Sequence, residues 1–150
     1  MDITSPVFGI FLALGIGVLV GVGTFTFYYG EGHSYFRDDP EVCANCHIMQ
    51  PQYDSWINSS HSHVATCNDC HTPKGTIPKY ISKADNGFRH AWAFTMDNFY
   101  EPIQIIPRNE RVLKQRCIDC HGDFLHQTVP TVEDAQCVTC HANVGHALTR

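Results

Sequence analysis

Residues 43–49 read CANCHIM, and the first five set a pattern repeated as CNDCH at 67–71, CIDCH at 117–121 and CVTCH at 137–141. All eight cysteines of the 150-residue chain fall in these four motifs, so none is left over for a disulfide. C-x-x-C-H is the attachment signature of c-type haem, in which both thiols become thioethers and the following histidine becomes an axial iron ligand. The expected attachment points are Cys43, Cys46, Cys67, Cys70, Cys117, Cys120, Cys137 and Cys140, with His47, His71, His121 and His141 as motif ligands. The spacing has a physical reason: on a helical turn, cysteines three apart share one side and the next residue projects its imidazole over the ring they hold. Four covalently bound haems are the cofactor expectation.

Zinc is the plain alternative. Twenty residues separate Cys46 from Cys67 and sixteen separate Cys120 from Cys137, gaps close to those of a zinc ribbon. A zinc ribbon, however, has no use for a histidine directly after the second cysteine of every pair. A thioredoxin-like thiol pair fits less well, because no βαβ pattern surrounds the motifs.

Val7–Gly30, VFGIFLALGIGVLVGVGTFTFYYG, runs 24 residues without a charge, enough to cross a bilayer. The preceding MDITSP lacks the basic residues of a cleaved signal, and no A-x-A follows, so an uncleaved anchor is expected over residues 1–30, its helix over about 7–29. Thioether attachment of haem is completed outside the cytoplasmic membrane, which places everything after the anchor on that side. Gly17 and Gly21 form a G-x-x-x-G pair, a spacing that lets two such anchors self-associate closely. The formal net charge of −5 would become more acidic with about eight haem propionates, unless these pair with the ten Lys and Arg residues.

Residues 31–150 leave about thirty residues per haem, too few for an ordinary core around a large cofactor. The expected fold is therefore mostly α with much coil: one transmembrane helix and a multihaem domain in which the porphyrins are the core and sheet is absent. The motif starts lie 24, 50 and 20 residues apart, which reads as two-haem units at 43–71 and 117–146 with an insertion over 72–116. Outside the anchor, only that insertion looks long enough for an independent helix. In it Phe88, Trp92, Met96 and Phe99 follow i, i+4, i+8, i+11 on one helical face, to cover a haem or to lie in a membrane interface.

Four electron-carrying haems need up to four axial ligands beyond the motif histidines. His61 and His146 are the first choices and His126 the next, with His63 and His90 in reserve and His33 a surface residue. His146 lies too close to His141 to reach the far face of the same ring, so it is expected to serve a neighbouring haem. At the first motif, helical geometry separates His47 from Met49 by about 200°, so only one of them takes a given axial face. By the ordinary motif rule His47 is the ligand and Met49 packs on the haem edge.

The anchor, CANCHIM followed by QPQYDSW, then HSHVATCNDCHTP and two further C-x-x-C-H motifs resemble the NapC/NirT family of membrane-bound tetrahaem quinol dehydrogenases. The resemblance covers nearly the whole chain. It implies that Met49 rather than His47 holds the first iron, that the opposite face lacks a strong protein ligand, and that menaquinol is oxidised there. It implies an inner-membrane protein with a periplasmic haem domain, and a periplasmic multihaem nitrite reductase subunit, forming ammonia, as partner. Asp85 in KADNG matches the family's carboxylate near the open face, and Lys79 or Lys83 would bond the quinol oxygen or tune that carboxylate. Two other readings remain: a general quinol dehydrogenase feeding several periplasmic reductases, and a terminal haem reductase.

Overall fold

The structure, a computed structural model, describes residues 5–128 and 135–146, the side chains of 126–128 excepted. The chain divides into two compact units, Met1–Ser34 and Tyr35–Arg150. The first is dominated by α1, Pro6–Tyr29, with proline at its start, where a missing N–H costs nothing. At 1.5 Å per residue it is about 36 Å long, sufficient for a hydrocarbon core of about 30 Å. No side chain of it is buried. The Gly30 N–H closes the helix on the Thr26 carbonyl at 2.8 Å.

The second unit is built from short 3-10 turns and five helices among the described residues: α2 Gln50–Ile57, α3 Cys67–His71, α4 Thr76–Thr95, α5 Pro107–Thr128 and α6 Cys137–Cys140. The expected helical, sheet-free architecture holds among these residues. Only Thr72, Ser82 and Lys83 among them are buried, and no large side chain is fully enclosed. A chain of this size normally hides a contiguous apolar cluster. Here the described residues supply none.

Three details depart from the sequence reading. The first motif is not helical: Pro40–Cys43 is a 3-10 turn, Cys46 is extended (φ −84°, ψ 110°), and His47–Met49 is a second 3-10 turn leading into α2. Proline is tolerated only in a first turn, so Pro51 requires α2 to begin beside it and forbids a helix running through from Pro40. The third motif lies inside the 22-residue α5 rather than on a short helix. Residues 107–116, PRNERVLKQR, place strong helix formers behind an initial proline and carry the helix through CIDCH, so the insertion boundary at 116 cuts an element in two. The aromatic stripe also shortens: α4 ends at Thr95, Asp97 turns the chain at φ 50°, and Phe99 packs on Phe94 with ring centres 4.7 Å apart.

Candidate functional site

The second motif has the firmest local support. Thr66 caps α3 in a reciprocal capping box with Asp69, whose Oδ2 accepts from the Thr66 N–H at 2.8 Å and from its hydroxyl at 2.7 Å. Those bonds, the backbone one foremost, hold Asp69 below the usual carboxylate range. At the other end the Thr72 hydroxyl donates to the Asn68 carbonyl at 2.8 Å. Arg116 of α5 donates to the Asp69 carbonyl at 2.7 Å and pairs with Asp119 at 2.8 Å, joining the second motif to the third.

The motifs follow one another in space. The Pro40–Cys43 turn packs on α3, α3 packs on α5, and Cys117 and Cys137 line one small pocket. Across that series two histidine pairs meet. His61 and His121 have ring centres 6.2 Å apart, and His71 and His146 have theirs 6.1 Å apart. A metal–imidazole bond of about 2.0 Å, with the ring centre about 1.2 Å beyond the nitrogen, puts two rings on one metal about 6.4 Å apart. Both separations fit that span. Burial, with a contribution from His146, pushes His71 down to about 4, so its ring is neutral, the form that ligates metal.

The remaining histidines fall elsewhere. His90 accepts or donates at 2.9 Å with the Tyr35 hydroxyl, His63 is exposed, and His33 sits 3.3 Å from Glu31. His141 is exposed at the end of α6, and the side chain of His126 lies outside the described residues. In the first motif His47 is exposed and Met49 half-buried. A 3-10 turn advances about 120° per residue, so the two still point to different sides. Beside them a cavity of about 190 Å³ is lined by Ile48, Pro51, Gln52, Glu101, Pro102 and Ile103. The Gln52 Oε1 is buried without a hydrogen-bond partner.

The expected link between Asp85 and the two lysines is not formed. Asp85 pairs instead with Arg89 at 2.9 Å and Arg108 at 2.6 Å; the Arg89 bond foremost, then Arg108, holds its carboxyl below the usual range. Lys83 reaches Asp38 at 2.9 Å and the Arg37 carbonyl at 2.6 Å, and Lys79 pairs with the same carboxylate. The cause is helical phase: positions 79 and 83 lie on one side of α4 and position 85 about 200° on from 83. Asp38, which also accepts from Asn68 at 2.9 Å, was missed because the linker before CANCHIM carries no motif. Arg108 and Glu101 were missed for the same reason. Asp38→Asn removes the charge that answers Lys83, whose side chain is 8% exposed. The expected cost is about 1–2 kcal/mol, reduced because Asp38 itself is half exposed, and thermal unfolding of the haem-loaded chain reads it. An unchanged midpoint would show that Lys83 needs no partner.

Among the described residues no three His, Cys, Asp or Glu side chains converge as a structural zinc site requires. An apolar span, a helical domain that among the described residues has neither sheet nor an apolar core of its own, and C-x-x-C-H motifs set side by side define a membrane-anchored c-type cytochrome. The NapC/NirT cytochrome c family model, N-terminal region, matches residues 4–110, and the chain belongs to that family. It is 32% identical to the cytochrome c-type protein NrfH of Wolinella succinogenes, over 89% of this chain and 82% of that protein. To the cytochrome c nitrite reductase subunit NrfH of Nitratidesulfovibrio vulgaris it is 30% identical, over 90% and 82%. The cytochrome c-type protein NapC of Escherichia coli matches at 30%, over 91% and 84%. A chain in the crystal structure of the cytochrome c nitrite reductase NrfHA complex bound to the HQNO inhibitor superposes with a TM-score of 0.66 at 29% identity. That match covers 93% of this chain and 92% of the other.

Proposed function

We propose that this chain oxidises menaquinol at the periplasmic face of the cytoplasmic membrane and delivers the electrons to a periplasmic cytochrome c nitrite reductase subunit. The observation that carries the reading is the contrast between motifs. The second and third each have a histidine facing the motif histidine across a metal's span, whereas the first has Met49 and a cavity with a buried, unanswered acceptor. The NrfH relatives and the superposition on the NrfHA complex support the partner.

The eight motif cysteines would hold four haems. His71 with His146 and His121 with His61 would ligate two of them, Met49 the first, and His141 the fourth, to which a partner side chain would add a ligand. Bound c-type haem supplies one-electron transfer at potentials set by its axial ligands, a thioether ligand raising the potential relative to imidazole. Quinol oxidation releases two protons with its two electrons, so the chain must receive protons as well. Gln52 Oε1 can accept a hydrogen bond from a quinol hydroxyl in the adjacent cavity, and Asp85, ionised by its arginines, is the proton acceptor.

The test uses the chain with its copurified partner in proteoliposomes loaded with menaquinol. Nitrite should be reduced to ammonia, and removal of the partner should abolish nitrite consumption while leaving quinol able to reduce the chain. Nitrite turnover by the isolated chain with an artificial dye donor would make it a terminal reductase instead. The 30% identity to NapC supports a second reading, a general donor to several periplasmic reductases. Copurification of one large haem protein in fixed ratio separates it from the first.

A further inference from the structure

An amphipathic helix in a soluble domain normally turns its apolar side inward. In α4 the arrangement is reversed. At 100° per residue, Ile77, Ile81, Ala84, Phe88 and Trp92 fall within a sector about 80° wide and about 22 Å long. Ile77, Ile81, Phe88 and Trp92 are 74%, 64%, 69% and 57% exposed, and Ala84 is exposed with them. The opposite side carries the packing and the charge. Lys79 and Lys83 hold Asp38 there, His90 bonds Tyr35, and Gly87 lets the Tyr35 ring approach so closely that an added Cβ would stand 3.3 Å from it. The flank is occupied as well, since Asn86 accepts from Arg108 at 3.1 Å and from Asn109 at 3.0 Å.

We propose that the exposed face of α4 seats in the interfacial zone of a lipid bilayer, as a second membrane contact beside the anchor. The occupant follows from three features. The same chain carries a helix able to cross a membrane, and Tyr35, which packs on α4, follows Tyr29 by six residues, at most about 20 Å of extended chain. The sector contains no charged side chain, and the nearest charges, Asp85 and Arg89, neutralise each other at 2.9 Å. Its residues are the aliphatic Ile77, Ile81 and Ala84 followed by Phe88 and Trp92, the composition that partitions about 5–10 Å into the headgroup boundary. The polar side, tied to the haem domain, then stays in water. This contact is independent of quinol chemistry, so its failure leaves the proposed function untouched.

The experiment places a photoreactive phenylalanine analogue at Phe88 in the full haem-loaded chain, assembled with its partner in nanodiscs of phosphatidylethanolamine and phosphatidylglycerol. Val64, 79% exposed outside α4, serves as the control site. Illumination should give lipid adducts at Phe88 at least about tenfold above those at Val64, as expected for a side chain held at the acyl boundary. Adducts chiefly to haem would overturn the proposal in favour of a stripe that covers a cofactor, and adducts chiefly to the partner or to a second copy would overturn it in favour of a protein interface. Equal lipid labelling at both sites would also overturn it. The same probe at Ile81 replaces Phe88 if that variant fails to take up haem.

Discussion

Replacing His61 with alanine will convert one haem per chain from a six-coordinate low-spin form to a high-spin form, and replacing His146 will do the same to a different haem. The expectation comes from the two ring separations of 6.2 and 6.1 Å, each matching two imidazoles on one metal. Ordinary aromatic contact also occurs at such distances, centres lying about 4.5–7 Å apart, and it is the rival account. The two accounts differ in what is lost. A packing contact leaves the spectrum unchanged on truncation and costs about 0.5–1.5 kcal/mol of stability. A ligand pair loses an axial bond, so its haem becomes high-spin and electron flow through the chain falls by about 10–100-fold. The effects should be separable: the double variant should show two high-spin haems, because His61 and His146 face different motif histidines. His63→Ala, on an exposed side chain two residues away, should change nothing in the spectrum. Spin-state spectroscopy on haem-stained, fully loaded protein decides, and an unaltered low-spin spectrum in both single variants would end the assignment.

What made these pairs legible was the surplus of histidines over motifs, and the closeness of His146 to His141 already turned it toward another haem. Which motif histidine it meets depends on α3 packing against α5, joined by Arg116 on the Asp69 carbonyl, a contact that no local pattern announces. The helical class and the anchor were likewise readable, because charge-free length and a sheet-poor composition are local properties. Element limits were less so. CANCH looks like its three siblings as a string, yet Pro40 and Pro51 bracket it and force turns where the motif rule expects a helix. The reverse happened at CIDCH, where the ten residues before it propagate a helix that the motif alone does not need. Around α4 the sequence displayed the apolar stripe but not its direction. That direction is decided by Asp38, a residue in a linker without a pattern, which draws Lys79 and Lys83 to the inner side.

Asp85→Asn, in a chain with normal haem content, will lower menaquinol oxidation by about 10²–10⁴-fold while leaving dye-driven electron transfer intact, the usual contribution of a positioned proton acceptor. The structure adds a pH dependence. Arg89 first, and Arg108 after it, hold the Asp85 carboxyl below its ordinary value. For a depressed carboxylate, the charged form and the ion-pair stability it brings are fully present above the ordinary pKa and are lost only as pH falls through the lowered one. Quinol oxidation should therefore stay flat through neutral pH, and its acid limb should lie below the usual carboxylate range. Arg108→Ala removes one of the two partners, raises the carboxyl toward its ordinary value, and moves that limb to higher pH. Arg89→Ala should move it further, since its hydrogen bond is the larger cause. The same pairing makes Asp85 a weak base, so accepting a proton requires an arginine to swing away; either arginine variant relieves that requirement and should raise the plateau rate at neutral pH when proton transfer limits turnover. An acid limb that stays in place in both arginine variants would mean that another group titrates, and Glu101, which lines the cavity beside Ile48, is then the carboxylate to replace.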